Sequence, residues 1–91
     1  MTSLPKTVGE AAEEVILRLD EESLNRLRGM GESDLVSLHF GLGSWIRNAF
    51  GLWSGNKALL EECASHEGLG CFDPDEASMV ILREVWRRVT Q

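Results

Sequence analysis

The sequence lacks the features that mark membrane-spanning, exported and disulfide-rich proteins. None of its apolar runs approaches the roughly 20 residues of a membrane-spanning helix. Residues 1–6 contain no apolar segment of the kind that belongs to a secretory signal. The chain has only 2 cysteines, which is too few for the framework of a small secreted scaffold. We therefore expect a cytoplasmic protein without a membrane segment.

Signals for strands, linkers and repeats are also scarce. Proline occurs only at positions 5 and 74, no segment is of low complexity, and no run alternates between apolar and polar residues. A length of 91 residues suits one domain, because two independent cores need a longer chain. The sequence therefore predicts an all-α protein with an N-terminal tail over residues 1–6 and a single helical domain over residues 7–91.

Five helices are predicted from the apolar period and from the capping residues that precede it. They cover residues 8–19, 21–28, 32–50, 55–65 and 74–89. Thr7 and Glu10 fit a capping box, and Asp20 is the predicted N-cap of the second helix. Asp73 before Pro74 gives the fifth helix the strongest start signal in the chain. Short helices joined by tight corners favour a compact orthogonal bundle over a long up-and-down bundle.

The third predicted helix, residues 32–50, is expected to lie at the centre of this bundle. It is apolar over most of its circumference, as a helix surrounded by other helices is. A narrow strip of small residues is either its wet face or a place where another backbone comes close: Ser37, Gly41, Ser44 and Asn48. Gly41 and Gly43 each cost about 1 kcal/mol relative to alanine inside a helix, so we expect close packing to offset them.

The chain is acidic, with a formal net charge of −6 and a pI near 4.8. Phosphate backbones and anionic lipid repel such a chain, so we expect no direct nucleic-acid binding and no membrane binding. The acids are expected to occupy solvated faces and helix N-termini. The alternative is an acidic surface that meets a basic partner, or that mimics nucleic acid in the basic groove of a defence or DNA-handling protein.

His39, Arg47 and Asn48 are the candidate polar site residues on the third predicted helix. Arg47 is expected either to pair with Asp73 or Asp75 at the start of the fifth helix, or to bind a ligand's carboxylate or phosphate. His39 is either a buried structural histidine or a general base or ligand. If these three residues converge on a pocket, the protein is a small-ligand binder or an enzyme.

Motifs for metal binding and nucleophilic catalysis are weak. Cys63, His66 and Cys71 read C-x2-H-x4-C, which is not a paired zinc spacing. A zinc site would also need His39 as its fourth ligand. No glycine-flanked serine marks a nucleophile elbow, and the glycines of residues 41–43 lack the lysine of a phosphate-binding loop. We therefore predict two free thiols, no metal, no cofactor and no enzymatic activity.

Trp53 is the first candidate for a binding surface. It follows the third predicted helix in a glycine-rich turn, where we expect its ring to be partly exposed. Tryptophan is enriched at the energetic centres of protein interfaces. The main functional prediction is therefore a small module that binds another protein in an immunity, antitoxin or regulatory role, with a homodimer as a further option.

Two motifs carry a resemblance that spans residues 5–89. The first is LHFGLGxxIRNxFGLW over residues 38–53, followed by Asn56, Leu59, Leu60 and Cys63; the second is DPDEAS over residues 73–78, followed by Ile81 and Trp86. Together they resemble a family of small bacterial proteins known only as a domain of unknown function. The resemblance implies a compact helical domain from a bacterium or its phage and brings no activity or catalytic residue. Asn56, which lies within the pattern, joins the candidate binding residues.

Overall fold

The computed structural model describes residues 4–38, 41–53, 56–67 and 73–90. The regular structure within these residues is helical throughout: α1 Val8–Arg18, α2 Glu21–Arg28, a 3-10 helix Glu32–Leu38, α3 Leu42–Ala49, α4 Lys57–Glu67 and α5 Pro74–Thr90. The radius of gyration is 12.3 Å, against about 12 Å for a compact domain of this length. The predicted all-α class is confirmed. None of the described helices combines the length and the apolarity that crossing a bilayer requires.

Side-chain caps begin α1 and α2 at the residues that the sequence predicted. The Thr7 hydroxyl accepts a hydrogen bond from the Glu10 N–H at 3.1 Å, and Asp20 Oδ1 accepts one from the Ser23 N–H at 2.9 Å. The bond from the Ser23 N–H stabilises the carboxylate and so holds the pKa of Asp20 below its ordinary value. The extended backbone of Leu19 separates the two helices, so the chain turns directly from α1 into α2.

The single helix predicted over residues 32–50 is wrong, because the chain divides it into the 3-10 helix and α3. Asp34 Oδ2 accepts a hydrogen bond from the Gly31 N–H at 2.9 Å, and the Ser37 hydroxyl donates one to the Asp34 carbonyl at 2.7 Å. Such local bonds compete with the α-helical pattern. Gly41 is a poor interior helix residue and becomes the N-cap of α3 instead.

The helix at the centre of the bundle is α5, and the prediction that the third helix lies there is wrong. The four other α-helices and the 3-10 helix all pack against α5. With 17 residues, α5 is about 25 Å long and offers a surface to every neighbour, whereas the 8 residues of α3 cover only about 12 Å. Six residues form its buried stripe, none more than 1% exposed: Ala77, Ser78, Val80, Ile81, Leu82 and Val85.

Residues 4–6, which the sequence analysis assigned to a tail, lie against the helical domain. Pro5 is buried, and its carbonyl accepts a hydrogen bond from Asn56 Nδ2 at 3.0 Å. The backbone N–H of Val8 donates to Glu62 Oε1 at 2.8 Å, so a carboxylate of α4 supplies an acceptor at the N-terminus of α1. These contacts join the start of the described chain to α4 and to the loop before it.

The strip of small residues is largely solvated, and the close approach occurs at Gly43 instead. Three of the four strip residues are exposed: Ser37, Gly41 and Asn48. A Cβ atom on Gly43 would lie 3.2 Å from Arg47 Nη1 and 3.3 Å from the Leu38 carbonyl oxygen. A Cβ atom on Gly41 would meet no described atom within 4 Å. Close packing, which was expected to offset the helix cost of both glycines, therefore occurs at Gly43 and not at Gly41.

The same substitution at these two glycines should have different effects on stability. We expect Gly43→Ser to lower the free energy of unfolding by about 1–3 kcal/mol, because the added atoms must displace Arg47 or the Leu38 carbonyl. We expect Gly41→Ser to change it by less than about 0.5 kcal/mol, because the added atoms enter open space. Urea unfolding followed by circular dichroism measures both, and equal losses at the two positions would contradict the packing described here.

Candidate functional site at Trp45

Arg47 is a buried cation that joins α3 to the first turn of α5. Its side chain is only 7% exposed, and its Nε lies 3.4 Å from Asp75 Oδ1. Its Nη1 donates to the Ser78 hydroxyl at 3.0 Å, and that hydroxyl donates in turn to the Asp75 carbonyl at 2.8 Å. Of the two predicted acidic partners, Asp75 therefore makes the ion pair. Asp73 caps α5, since its Oδ1 accepts from the Glu76 N–H at 2.9 Å.

Asn56 connects three segments of the chain with one side-chain amide. Its Nδ2 donates to the carbonyls of Pro5 at 3.0 Å and Phe50 at 2.8 Å. Its Oδ1 accepts from the Leu59 N–H at 3.4 Å in the first turn of α4, as an N-cap does. Both polar ends of the amide are thus engaged inside the domain, although the sequence analysis placed Asn56 among the binding residues.

The remaining polar candidates do not assemble into one described site. Asn48 is exposed and points about 100° away from Arg47 around α3. His39 and Cys71, together with the side chain of His66, lie outside the described residues. Cys63 is buried, with Sγ 3.7 Å from the Ala77 carbonyl oxygen. Within the described part of the chain, no group of three His, Cys, Asp or Glu residues could hold a metal ion.

Trp53 projects from the turn that follows α3. Its side chain is 60% exposed, whereas the preceding Leu52 is 2% exposed and fixes the turn in the core. Gly51 has φ 70°, a conformation that glycine adopts without the strain that a side chain brings. The Leu52 N–H donates to the Arg47 carbonyl at 3.0 Å, so the turn is bonded back to α3. Trp53 is therefore an exposed ring on an anchored turn.

An apolar groove, which we name the Trp45 groove, opens between the corner of α1 and α2 and the N-terminal half of α3. Its volume is about 380 Å³, within the range of about 300–1,000 Å³ found for binding sites. Its described lining residues are Leu19, Ser23, Arg26, Leu27, Met30, Leu38, Gly41, Leu42 and Trp45. Two smaller hollows of 290 and 220 Å³ adjoin it, and the Trp45 ring lines all three.

Two contacts fix the Trp45 ring while leaving 38% of the residue exposed. Its edge-to-face contact with Phe50 has ring centroids 5.6 Å apart and an interplanar angle of 72°. The Arg18 guanidinium lies over the ring, with Cζ 5.8 Å from the ring centroid, in a cation–π contact. An aromatic ring held in place yet open to solvent needs little further ordering when a partner covers it.

Trp45 was not predicted to be a site residue. On a continuous helix over residues 32–50, this side chain flanks the apolar face and is assigned to the core. The described walls of the groove instead come from separate elements: α2, Leu38 at the end of the 3-10 helix, and the start of α3. The available signal was the pair of poor helix formers Gly41 and Gly43, which indicates a break in the predicted helix just before Trp45.

Replacing Asn56 should destabilise the fold rather than affect binding alone. We expect Asn56→Ala to lower the free energy of unfolding by about 2–3 kcal/mol, because it removes the cap of α4 and leaves two carbonyls without their donor. Asn56→Asp keeps the cap acceptor but sets a carboxylate oxygen against the Pro5 and Phe50 carbonyl oxygens, so it should lose at least as much. The matched control is Asn48→Ala on the exposed face of α3, which should change stability by less than about 0.5 kcal/mol. Equal effects of the two alanine variants in urea unfolding would argue against this role.

Comparison with known proteins identifies the family without indicating an activity. No curated protein and no solved structure matches the chain. One protein family does match, over residues 4–89, and this range includes both sequence motifs, the Trp45 groove and the turn that carries Trp53. The chain therefore belongs to the family described as a domain of unknown function, DUF6794.

Proposed function

We propose that this domain is a protein-interaction module that binds a segment of another protein in the Trp45 groove. The observation that carries the proposal is the Trp45 ring itself, which is fixed by Phe50 and Arg18 yet open where the three hollows meet. Tryptophan in a well-packed pocket contributes more binding energy than most interface residues. The groove would receive the partner's apolar side chains on a surface that needs no rearrangement.

A second exposed tryptophan is the other candidate for a binding surface. Trp53 is 60% exposed, although Leu52 beside it is buried and anchors its turn. Tryptophan is enriched at the energetic centres of protein interfaces. The finer proposal is a cytoplasmic module of an immunity, antitoxin or regulatory type, in which one small domain binds a larger protein. Its support is the small size and the net charge of −6, which keeps such a domain soluble.

A nucleic-acid mimic is less well supported, because it needs a continuous array of unpaired carboxylates. Many acids of this chain instead have local partners. Glu14, Glu22 and Glu84 pair with arginines on their own helices. Asp20 and Asp73 accept helix-capping bonds. A ligand binder built on Arg47 and Asn48 is also less well supported, because Arg47 is engaged by Asp75 and Ser78.

The proposal is tested by quantitative capture of partners from a native lysate with four tagged forms of the protein. These are the wild type, Trp45→Ala and Trp53→Ala, with Val36→Ala as a control for an exposed apolar residue that is not among the described lining residues of the groove. We expect Trp45→Ala to bind the captured protein about 30-fold more weakly, because loss of an interface hot spot costs about 2 kcal/mol. We expect Val36→Ala to bind it as the wild type does.

Two outcomes would overturn the assignment to the groove. If Trp53→Ala abolishes capture and Trp45→Ala does not, the binding surface is the turn after α3. If no protein is captured in stoichiometric amount by any form, the interaction module itself is contradicted. Thermal unfolding of each variant shows whether a loss reflects folding, since Trp45→Ala also removes the contact with Phe50.

A further inference from the structure

We infer that the segment bound in the Trp45 groove is acidic: its apolar side chains enter the groove and its carboxylates contact Arg18 and Arg26. This inference rests on the proposed function and names the chemistry of the partner. It runs against the expectation from composition, since a chain with a net charge of −6 would be expected to prefer a basic partner. The charges that a bound segment would contact are those at the groove, and they differ in sign from the charge of the whole chain.

Arginines supply the positive charge among the described residues next to the centre of the groove. Among the described lining residues, Arg26 is the only charged one in the main hollow, and Arg18 is the only charged one in the hollow that shares Leu19, Leu42 and Trp45 with it. A carboxylate, Glu14, lines only the third hollow, beyond Arg18. An apolar segment that fills the groove therefore lies between two guanidinium groups, which prefer carboxylates as partners.

The present partners of these arginines leave them available for a further carboxylate. Arg26 Nη2 lies 3.2 Å from Glu22 Oε1, with both side chains more than 60% exposed. Arg18 Nη2 lies 3.3 Å from Glu14 Oε2, with exposures of 55% and 38%. Exposed pairs one helical turn apart contribute only about 0.3–0.5 kcal/mol. A guanidinium group also has five N–H donors, so it can bind a second carboxylate beside the first.

The N-terminus of α3 adds partial positive charge to that of the two arginines. Gly41 and Leu42, at the N-terminus of α3, line the groove, so the positive end of the helix dipole faces it. Net charge acts at long range and is screened over about 8 Å at physiological ionic strength, whereas the groove charges act at contact. The contact charges therefore decide which segment fits, and they favour a negative one.

Selection from a phage-displayed library of random 16-residue peptides tests this inference. We expect peptides enriched on the wild-type domain to combine apolar residues with more Asp and Glu than the unselected library contains. Synthetic copies of these peptides should lose binding to Trp45→Ala, measured by fluorescence anisotropy. On Arg26→Glu, the selection should shift toward peptides with Lys or Arg.

A matched pair of variants at Gly41 isolates the charge from the shape of the groove. Gly41→Asp and Gly41→Asn add side chains of nearly equal size into open space in the groove, so any change in the stability of α3 should be similar in the two variants. We expect the acidic peptides to bind Gly41→Asp at least about tenfold more weakly than Gly41→Asn, because only the aspartate repels them. Thermal unfolding of both variants confirms that the domain stays folded.

The outcomes separate this inference from the proposed function. Enriched peptides that need Trp45 but show no acidic excess, or a basic one, would overturn the inference and leave the interaction module standing. Peptides that bind Trp45→Ala as well as the wild type, or no enrichment at all, would contradict both. Sedimentation equilibrium tests the remaining occupant, a second copy of this chain, and a dimer that Gly41→Asp dissociates would overturn the inference.

Discussion

The fold depends on the burial of one helix, α5, against every other helical element. A domain of 91 residues buries only about 60–65% of the surface of its unfolded chain, so it cannot support several separate packing layers. The apolar stripe of α5 supplies a shared surface, and α1, α2, the 3-10 helix, α3 and α4 each cover part of it. Because every element packs on the same helix, each one needs only a short apolar face of its own.

Hydrogen bonds and an ion pair between elements complete this arrangement, because apolar contact alone would leave the short elements loosely placed. Arg47 fixes α3 against the first turn of α5 through Asp75 and Ser78. Asn56 bonds to Pro5 and to Phe50, which joins the start of the domain to the end of α3. In a sequence, arginine and asparagine at such positions resemble site residues, since buried polar groups occur both in contacts between structural elements and in binding sites.

Features that neighbouring residues decide could be predicted from the sequence, whereas features that distant contacts decide could not. The caps at Thr7, Asp20 and Asp73 were predictable, because a cap is decided within four residues. The division of the third helix had a local signal in Gly41 and in the bonds of Asp34, but the apolar period across it favoured one continuous helix. The central position of α5 was not predictable, because it depends on contacts between distant elements. The Trp45 groove was missed for the same reason: its walls come from Leu19 at the corner after α1, from α2, from the 3-10 helix and from α3.

The net charge of the chain counteracts the tendency of an open apolar groove to self-associate. A fixed tryptophan in an open apolar groove invites self-association as well as binding. Mutual repulsion between copies that each carry a charge of −6 opposes self-association and leaves the groove accessible. If the groove binds an acidic segment as proposed, the arginines beside it supply attraction at contact, where the screened repulsion of the whole chain no longer decides the energy. Specificity would then come from a local charge opposite to the overall one, beside the exposed Trp45 ring.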